Sequence, residues 1–139
     1  MCGLKKSDVM NIKFEHNIQS MLRLKNIYFD SFKFMHTGFP KGEIKLNVNF
    51  KVHDEYDDDL KIHILANIIA ENAFELRADL VGIFDVDEEW VDKLKANAVA
   101  IMFPYLRSQL TLLTSQPEMM PIILPTVNIN KLLESNKDK

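Results

Sequence analysis

Hydrophobic residues recur at every second position through several long stretches of this chain. The cleanest run is 43–52, where Ile44, Leu46, Val48, Phe50 and Val52 alternate with Lys45, Asn47, Asn49 and Lys51. A period of two places all those apolar side chains on one face of a β-strand. Leu60, Ile62, Ile64, Ala66 and Ile68 repeat the pattern, with Leu65 and Ile69 adding apolar weight to the other face. Phe74, Leu76, Ala78 and Leu80 repeat it again, opposed by Glu75, Arg77 and Asp79. The stretch 22–34 is less regular. Leu22, Leu24, Tyr28, Phe32 and Phe34 share a parity that Ile27 and Phe29 break, as a bulge or a strand buried on both faces would. The pattern predicts four strands in a meander. A loop over 36–41 with Gly38, Pro40 and nearby Gly42, an acidic turn over 53–59 and a tight connection at Glu71-Asn72 would join them. Gly82 marks a bulge or a close backbone approach.

After the strands the period changes. Asp87 can cap a short helix with Glu88 and Glu89 in its first turn and Trp90, Val91 and Leu94 on its apolar side. The main helix is expected over 98–115, with Leu106, Leu110 and Leu113 at helical spacing. It would be entered through an irregular turn at Phe103-Pro104, so that Pro104 opens the regular part, where a missing N–H is no loss. Residues 116–125 carry Pro117, Pro121 and Pro125 around Met119, Met120, Ile122, Ile123 and Leu124, an apolar loop stiffened by proline. Asn128 suits the N-cap of a last helix over 128–135 that uses Ile129, Leu132 and Leu133. Residues 1–20 read as a flexible arm and 136–139 as a frayed tail. The expected fold is a single α+β domain over 1–139, a four-stranded antiparallel sheet followed by helices packed on one face. Apolar residues on both parities, and long edge strands, predict self-association.

Composition narrows the function classes. The chain has 139 residues, 47% hydrophobic and 27% charged, ordinary values for one globular domain. A formal charge of −3 with no basic run argues against a nucleic-acid partner. The single cysteine, Cys2, permits no internal disulfide and suits a reducing compartment. No apolar run approaches the roughly 20 residues that span a membrane, and residues 1–10 lack a signal-peptide core. A cytoplasmic protein without membrane insertion is expected. His16, His36, His53 and His63 show no metal-ligand spacing with one another or with Cys2. The acidic run 54–59 lacks the glycine and terminal glutamate of a calcium loop. Asp85, Asp87, Glu88 and Glu89 are accounted for by a helix start, and Ser108, Thr111 and Ser115 lie in no nucleophile motif. No catalytic residue, metal site or cofactor is expected, so the chain reads as a non-enzyme.

Two blocks remain. Met102-Phe103-Pro104-Tyr105-Leu106-Arg107 is followed by Leu124-Pro125-Thr126-Val127-Asn128-Ile129. Together they resemble the SecB protein-export chaperones, which carry an F-P-Y-x-R helix start and a P-V-N-F segment before the last helix. Ile27-Tyr28 with Phe32 and Phe34 is similar to the family's first strand, and Ile44-Lys45-Leu46 to its second. Ala73-Phe74 and Gly82-Ile83-Phe84 match its "A-F" and "G-I-F". Thr126 and Ile129 depart from its last motif, and the first twenty residues have no counterpart. The resemblance implies an ATP-independent chaperone, a holdase for unfolded polypeptides or preproteins in the service of export. It implies a homotetramer built as a dimer of dimers. An alternative on the same fold is a dedicated chaperone for one client, such as an antitoxin.

The resemblance places a peptide groove at Phe39, Ile44, Leu46 and Phe74, extended to Met119, Met120 and Leu132. The residue pattern adds Leu124, and methionine in a prolyl loop can repack against varied partners. For Phe74 and Leu124 a plain core role is an equal reading. The family's docking surface for SecA is acidic. The matching positions here are Ser31, Met35 and Arg77, with only Asp30 and Glu75 nearby, which argues against SecA binding.

Overall fold

A computed structural model describes residues 21–117, 119, 121–124 and 127–137. The arm expected over 1–20 lies outside the described residues, as do Met120, Pro125, Thr126 and the last two positions. Four strands, β1 (Arg23–His36), β2 (Leu46–Asp57), β3 (Asp59–Ala70) and β4 (Phe74–Asp85), form one antiparallel sheet. A turn of 3-10 helix, Glu88–Trp90, runs directly into helix α1 (Val91–Thr114), and helix α2 (Ile129–Lys137) closes the chain.

The strand order is β1-β4-β3-β2, not the expected meander. β2, β3 and β4 are joined by hairpins, while β1 lies beside β4, and 37–45 crosses to the far edge. This is a Greek-key arrangement. Alternation tells which face a residue takes, not which strand lies beside it. The irregularity of β1 resolves into two bulges, between Leu24 and Asn26 and between Phe29 and Ser31. Each extra residue shifts the parity by one. Leu24, Ile27, Phe29, Phe32 and Phe34 therefore all pair with the core-facing residues of β4.

β2 starts and ends later than its alternation suggests, because β3 offers it partners as far as Asp57. Asp54 also pairs with Lys95 of α1, and the Tyr56 hydroxyl donates to the Val86 carbonyl at 3.1 Å. The acidic turn thus shrinks to the tip of a hairpin. Asp58 (φ 67°) and Asn72 (φ 62°) take the left-handed positions of the two tight turns, a conformation Asp and Asn tolerate better than most residues.

The core lies between one sheet face and α1. Ile62, Ile64, Ile68, Leu76, Leu80 and Phe84 meet Met102, Leu106 and Leu110, all inaccessible to solvent. A Cβ at Gly82 would lie 2.7 Å from Met102 Sδ and 2.9 Å from Phe84 Cε1. β4 pairs regularly through Gly82 on both sides, so this glycine serves close approach and not a bulge. Pro104 sits well inside α1 and not in its first turn. Its ring removes the N–H that would reach the Ala100 carbonyl. Both residues are exposed, so water can satisfy that carbonyl, and the buried flank of the helix carries the chain through. Asp87 occupies the N-cap position without a side-chain cap bond. Asn128 does cap α2, its Oδ1 accepting the Lys131 N–H at 3.0 Å. Among the described residues no helix is long and apolar enough to cross a membrane.

Candidate peptide groove

The connection after β1 is held at its ends and free in its middle. The N–H groups of Thr37 and Gly38 donate to the Ala73 carbonyl at 2.9 and 3.2 Å, and the Glu71 N–H donates to the Lys45 carbonyl at 3.0 Å. Gly38 packs so tightly that a Cβ would lie 2.4 Å from the Asn72 carbonyl oxygen. Between these anchors Phe39 is 70% exposed and Ile44 45%. An aromatic row leads from the core to Phe39. Phe74 stacks on Phe34 at 5.3 Å, His36 meets Phe34 edge-on at 5.1 Å, and Phe39 stacks on His36 at 5.1 Å. Offset and edge-on contacts of this kind favour a fixed arrangement.

The opposite wall is the segment after α1, and two threonines position it. The Thr114 hydroxyl donates to the Leu110 carbonyl at 2.7 Å and accepts the Ile122 N–H at 2.8 Å. The Thr111 hydroxyl donates to the Ile122 carbonyl at 2.7 Å. Both backbone groups of Ile122 are thus satisfied by the last turn of α1. Thr114 is fully buried, so Thr114→Val would leave the Ile122 N–H without its acceptor. Such a substitution is expected to cost about 1–3 kcal/mol, read in a urea melt. The Ile122 amide should also lose hydrogen-exchange protection before the strands do.

Between the two walls runs a groove of about 1080 Å³, lined by Phe39, Pro40, Ile44, Leu46, Phe74, Met119, Pro121, Ile122 and Ile123 among others. Phe39, Ile44, Leu46, Phe74 and Met119 are therefore brought to one place. Phe74 is both floor and core, at 6% exposure. Leu124 does not line the groove. It is buried in the core at 3% exposure, because the threonine bonds to Ile122 turn Leu124 inward and leave Ile123 80% exposed. Leu132 is also not a lining residue, since it packs half-buried on α2 against the core. Met120 lies outside the described residues. His36, Pro121 and Ile123 line the groove without having been singled out. His36 had a signal, since it continues the parity of Phe32 and Phe34.

The groove is apolar, with Glu43 the carboxylate among its lining residues. Among the described residues no group of three or more His, Cys, Asp or Glu side chains could hold a metal ion. Charged contacts lie elsewhere. Lys25 reaches Asp59 at 2.8 Å. The hydrogen bond from the Arg23 guanidinium holds the Asp85 carboxyl below the usual carboxylate range, though exposed pairs of this kind add little stability. An arrangement with pinned walls and a mostly apolar lining offers large side chains a surface to pack against.

Comparison with known proteins agrees with this architecture. A curated relative, an uncharacterized protein of Methanocaldococcus jannaschii, is 28% identical over 123 residues, covering 78% of this chain and 79% of its own. A similar solved structure is the Mycobacterium tuberculosis SecB-like chaperone Rv1957 in complex with a ChAD peptide from the HigA1 antitoxin. It matches with a TM-score of 0.68 at 15% identity, over 77% of this chain and 91% of that one. The family model for preprotein translocase subunit SecB matches residues 16–139. By that match, and with the Phe103-Pro104-Tyr105 block set in α1 behind a four-stranded antiparallel sheet, the chain belongs to the SecB family.

Proposed function

We propose that this SecB-family chain is an ATP-independent cytoplasmic holdase, and not an enzyme, that receives apolar segments of unfolded or nascent polypeptides in the groove between 37–45 and 119–123. One observation carries the reading. Phe39, Ile44 and Ile123 stand exposed on segments whose neighbouring residues, Gly38, Lys45 and Ile122, are hydrogen-bonded in place. Large side chains held out in water on an ordered frame gain by burial against a client. Diluting a denatured client with and without the protein tests this by light scattering. Suppression at a few-fold excess is expected, and unchanged aggregation would remove the holdase reading.

Two duties compete. Export would need docking to SecA, and Ser31 and Met35 place no acid on the outer sheet face, while Arg77 places a cation there. That composition favours the second duty, a chaperone dedicated to a client such as an antitoxin, the kind of peptide bound by the structural relative. SecA is expected to bind weakly, with little dependence on salt. Assembly follows from the flank of α1 that faces away from the sheet. Ile101, Tyr105 and Leu112 are exposed there, with Leu112 at 66%. A dimer or tetramer is expected in sedimentation at micromolar concentration, and a monomer would leave that apolar flank unexplained.

A further inference from the structure

On the sheet face turned away from the helices, four strands bring one kind of chemistry together. Lys33 of β1 lies opposite Arg77 of β4, Arg77 opposite Asn67 of β3, and Asn67 opposite Asn49 of β2. In the neighbouring row Ser31 lies opposite Asp79, Asp79 opposite Leu65, and Leu65 opposite Lys51. All of these except Asp79 line a shallow depression of about 370 Å³. Three cations, two amides and a hydroxyl face it, and no carboxylate does. Asp79 is turned away, with its two oxygens 3.0 and 3.2 Å from His63 Nδ1. Glu75 stands one row further along β4, opposite Met35. Among the described residues the ion pairs are made by other side chains. Like charges opposite each other across a strand pair disfavour the fold, and although Glu75 and Asp79 flank Arg77 along β4, the ion pairs among the described residues leave out Lys33, Lys51 and Arg77.

We propose that this depression docks an acidic segment of a partner protein, with its carboxylates set among Lys33, Lys51 and Arg77. Charge complementarity argues for the occupant. Arg and Lys give charge-assisted hydrogen bonds to carboxylates, and Asn49, Asn67 and Ser31 can add neutral ones. Leu65 in the depression, 40% exposed, and Met35 beside it, 62% exposed and opposite Glu75, add apolar surface next to the cations, which suits a segment that mixes acids with hydrophobic residues. A nucleic acid fits less well. Phosphate backbones are bound by longer arrays of cations, whereas here the chain carries a net −3 and an acidic hairpin tip at one end of the same sheet. The surface lies on the opposite face from the apolar groove and does not depend on the holdase reading, so both can be occupied at once.

The test uses the full chain and a short fluorescein-labelled peptide of alternating glutamate and leucine, followed by anisotropy. The peptide is expected to bind at low salt, to weaken as salt rises, and to bind roughly tenfold or more tighter than its lysine-for-glutamate counterpart. The pair Lys33→Glu, Arg77→Glu should lose that affinity while Lys25→Glu, outside both surfaces, retains it. Lys51→Glu, on another strand, provides a second variant should the pair fail to fold. Equal binding of the lysine peptide would overturn the proposal, as would full affinity in the charge-reversed variants. Tighter binding of single-stranded oligouridine, or of inorganic phosphate, with the same residue dependence would replace the acidic segment by another anion and overturn it too.

Discussion

Replacing Phe39 and Ile44 together by serine is expected to weaken client holding tenfold or more and to leave thermal stability unchanged. In the free protein Phe39 is largely exposed, at 70%, and Ile44 nearly half exposed, at 45%. Their removal therefore opens no cavity and forfeits little folding energy. A bound client would bury them, and full burial of such a side chain is worth roughly 1.5–3 kcal/mol. Two partial contributions of this kind reach the roughly 1.4 kcal/mol that corresponds to a factor of ten. Client affinity is read by competition with a labelled unfolded peptide, and stability by a melt of the same samples. Phe74→Ser supplies the contrast. It lines the same groove but is buried against Phe34, so it should lose stability together with binding. If the Phe39, Ile44 pair lowers the melting temperature as Phe74→Ser does, those residues belong to the core and the groove is not a binding surface. Normal stability with undiminished holding would move client binding elsewhere.

Leu110→Ala is expected to destabilise the fold by about 2–5 kcal/mol. Leu110 is fully buried on α1, where the helix covers the sheet, and its carbonyl also accepts the Thr114 hydroxyl. Truncation removes a well-packed side chain and leaves a void that the rigid sheet beneath cannot close. The melting temperature should fall by several degrees, on the order of 2–4 °C per kcal/mol for a chain near this size. Leu112→Ala, on the exposed flank of the same helix at 66%, should leave the melt of the isolated protomer unchanged and weaken assembly instead. Equal losses from both substitutions would mean that the outer flank of α1 is already covered within the protomer.

Both walls are anchored by hydrogen bonds, one through the Ala73 and Lys45 carbonyls, the other through the Thr111 and Thr114 hydroxyls to the Ile122 backbone. Anchors at the ends of each wall restrict where its side chains can go and lower the ordering cost of binding.

What the sequence by itself determined was local period and local composition. The alternation of Leu60 to Ile68 and of Phe74 to Leu80 was enough to place those strands and their buried face. Asn128 was legible as a cap because capping is a contact across three residues. The Phe103-Pro104-Tyr105 block pointed to the family, and Phe39, Ile44, Leu46, Phe74 and Met119 could be named as neighbours through it. Tertiary structure decided whatever depends on residues distant in the chain. Strand order is of this kind, since the same alternation suits a meander or a Greek key. So is the position of Pro104, where packing of Met102, Leu106 and Leu110 on the sheet outweighs the local preference for a first turn. Leu124 and Ile123 are adjacent and equally apolar, and only the hydrogen bonds from Thr111 and Thr114 to Ile122 decide which one enters the core. The cluster of Lys33, Lys51 and Arg77 shows no run of charge along the chain. It exists because the register of four strands brings three separated cations to one face, and register is set by long-range pairing that no local pattern contains.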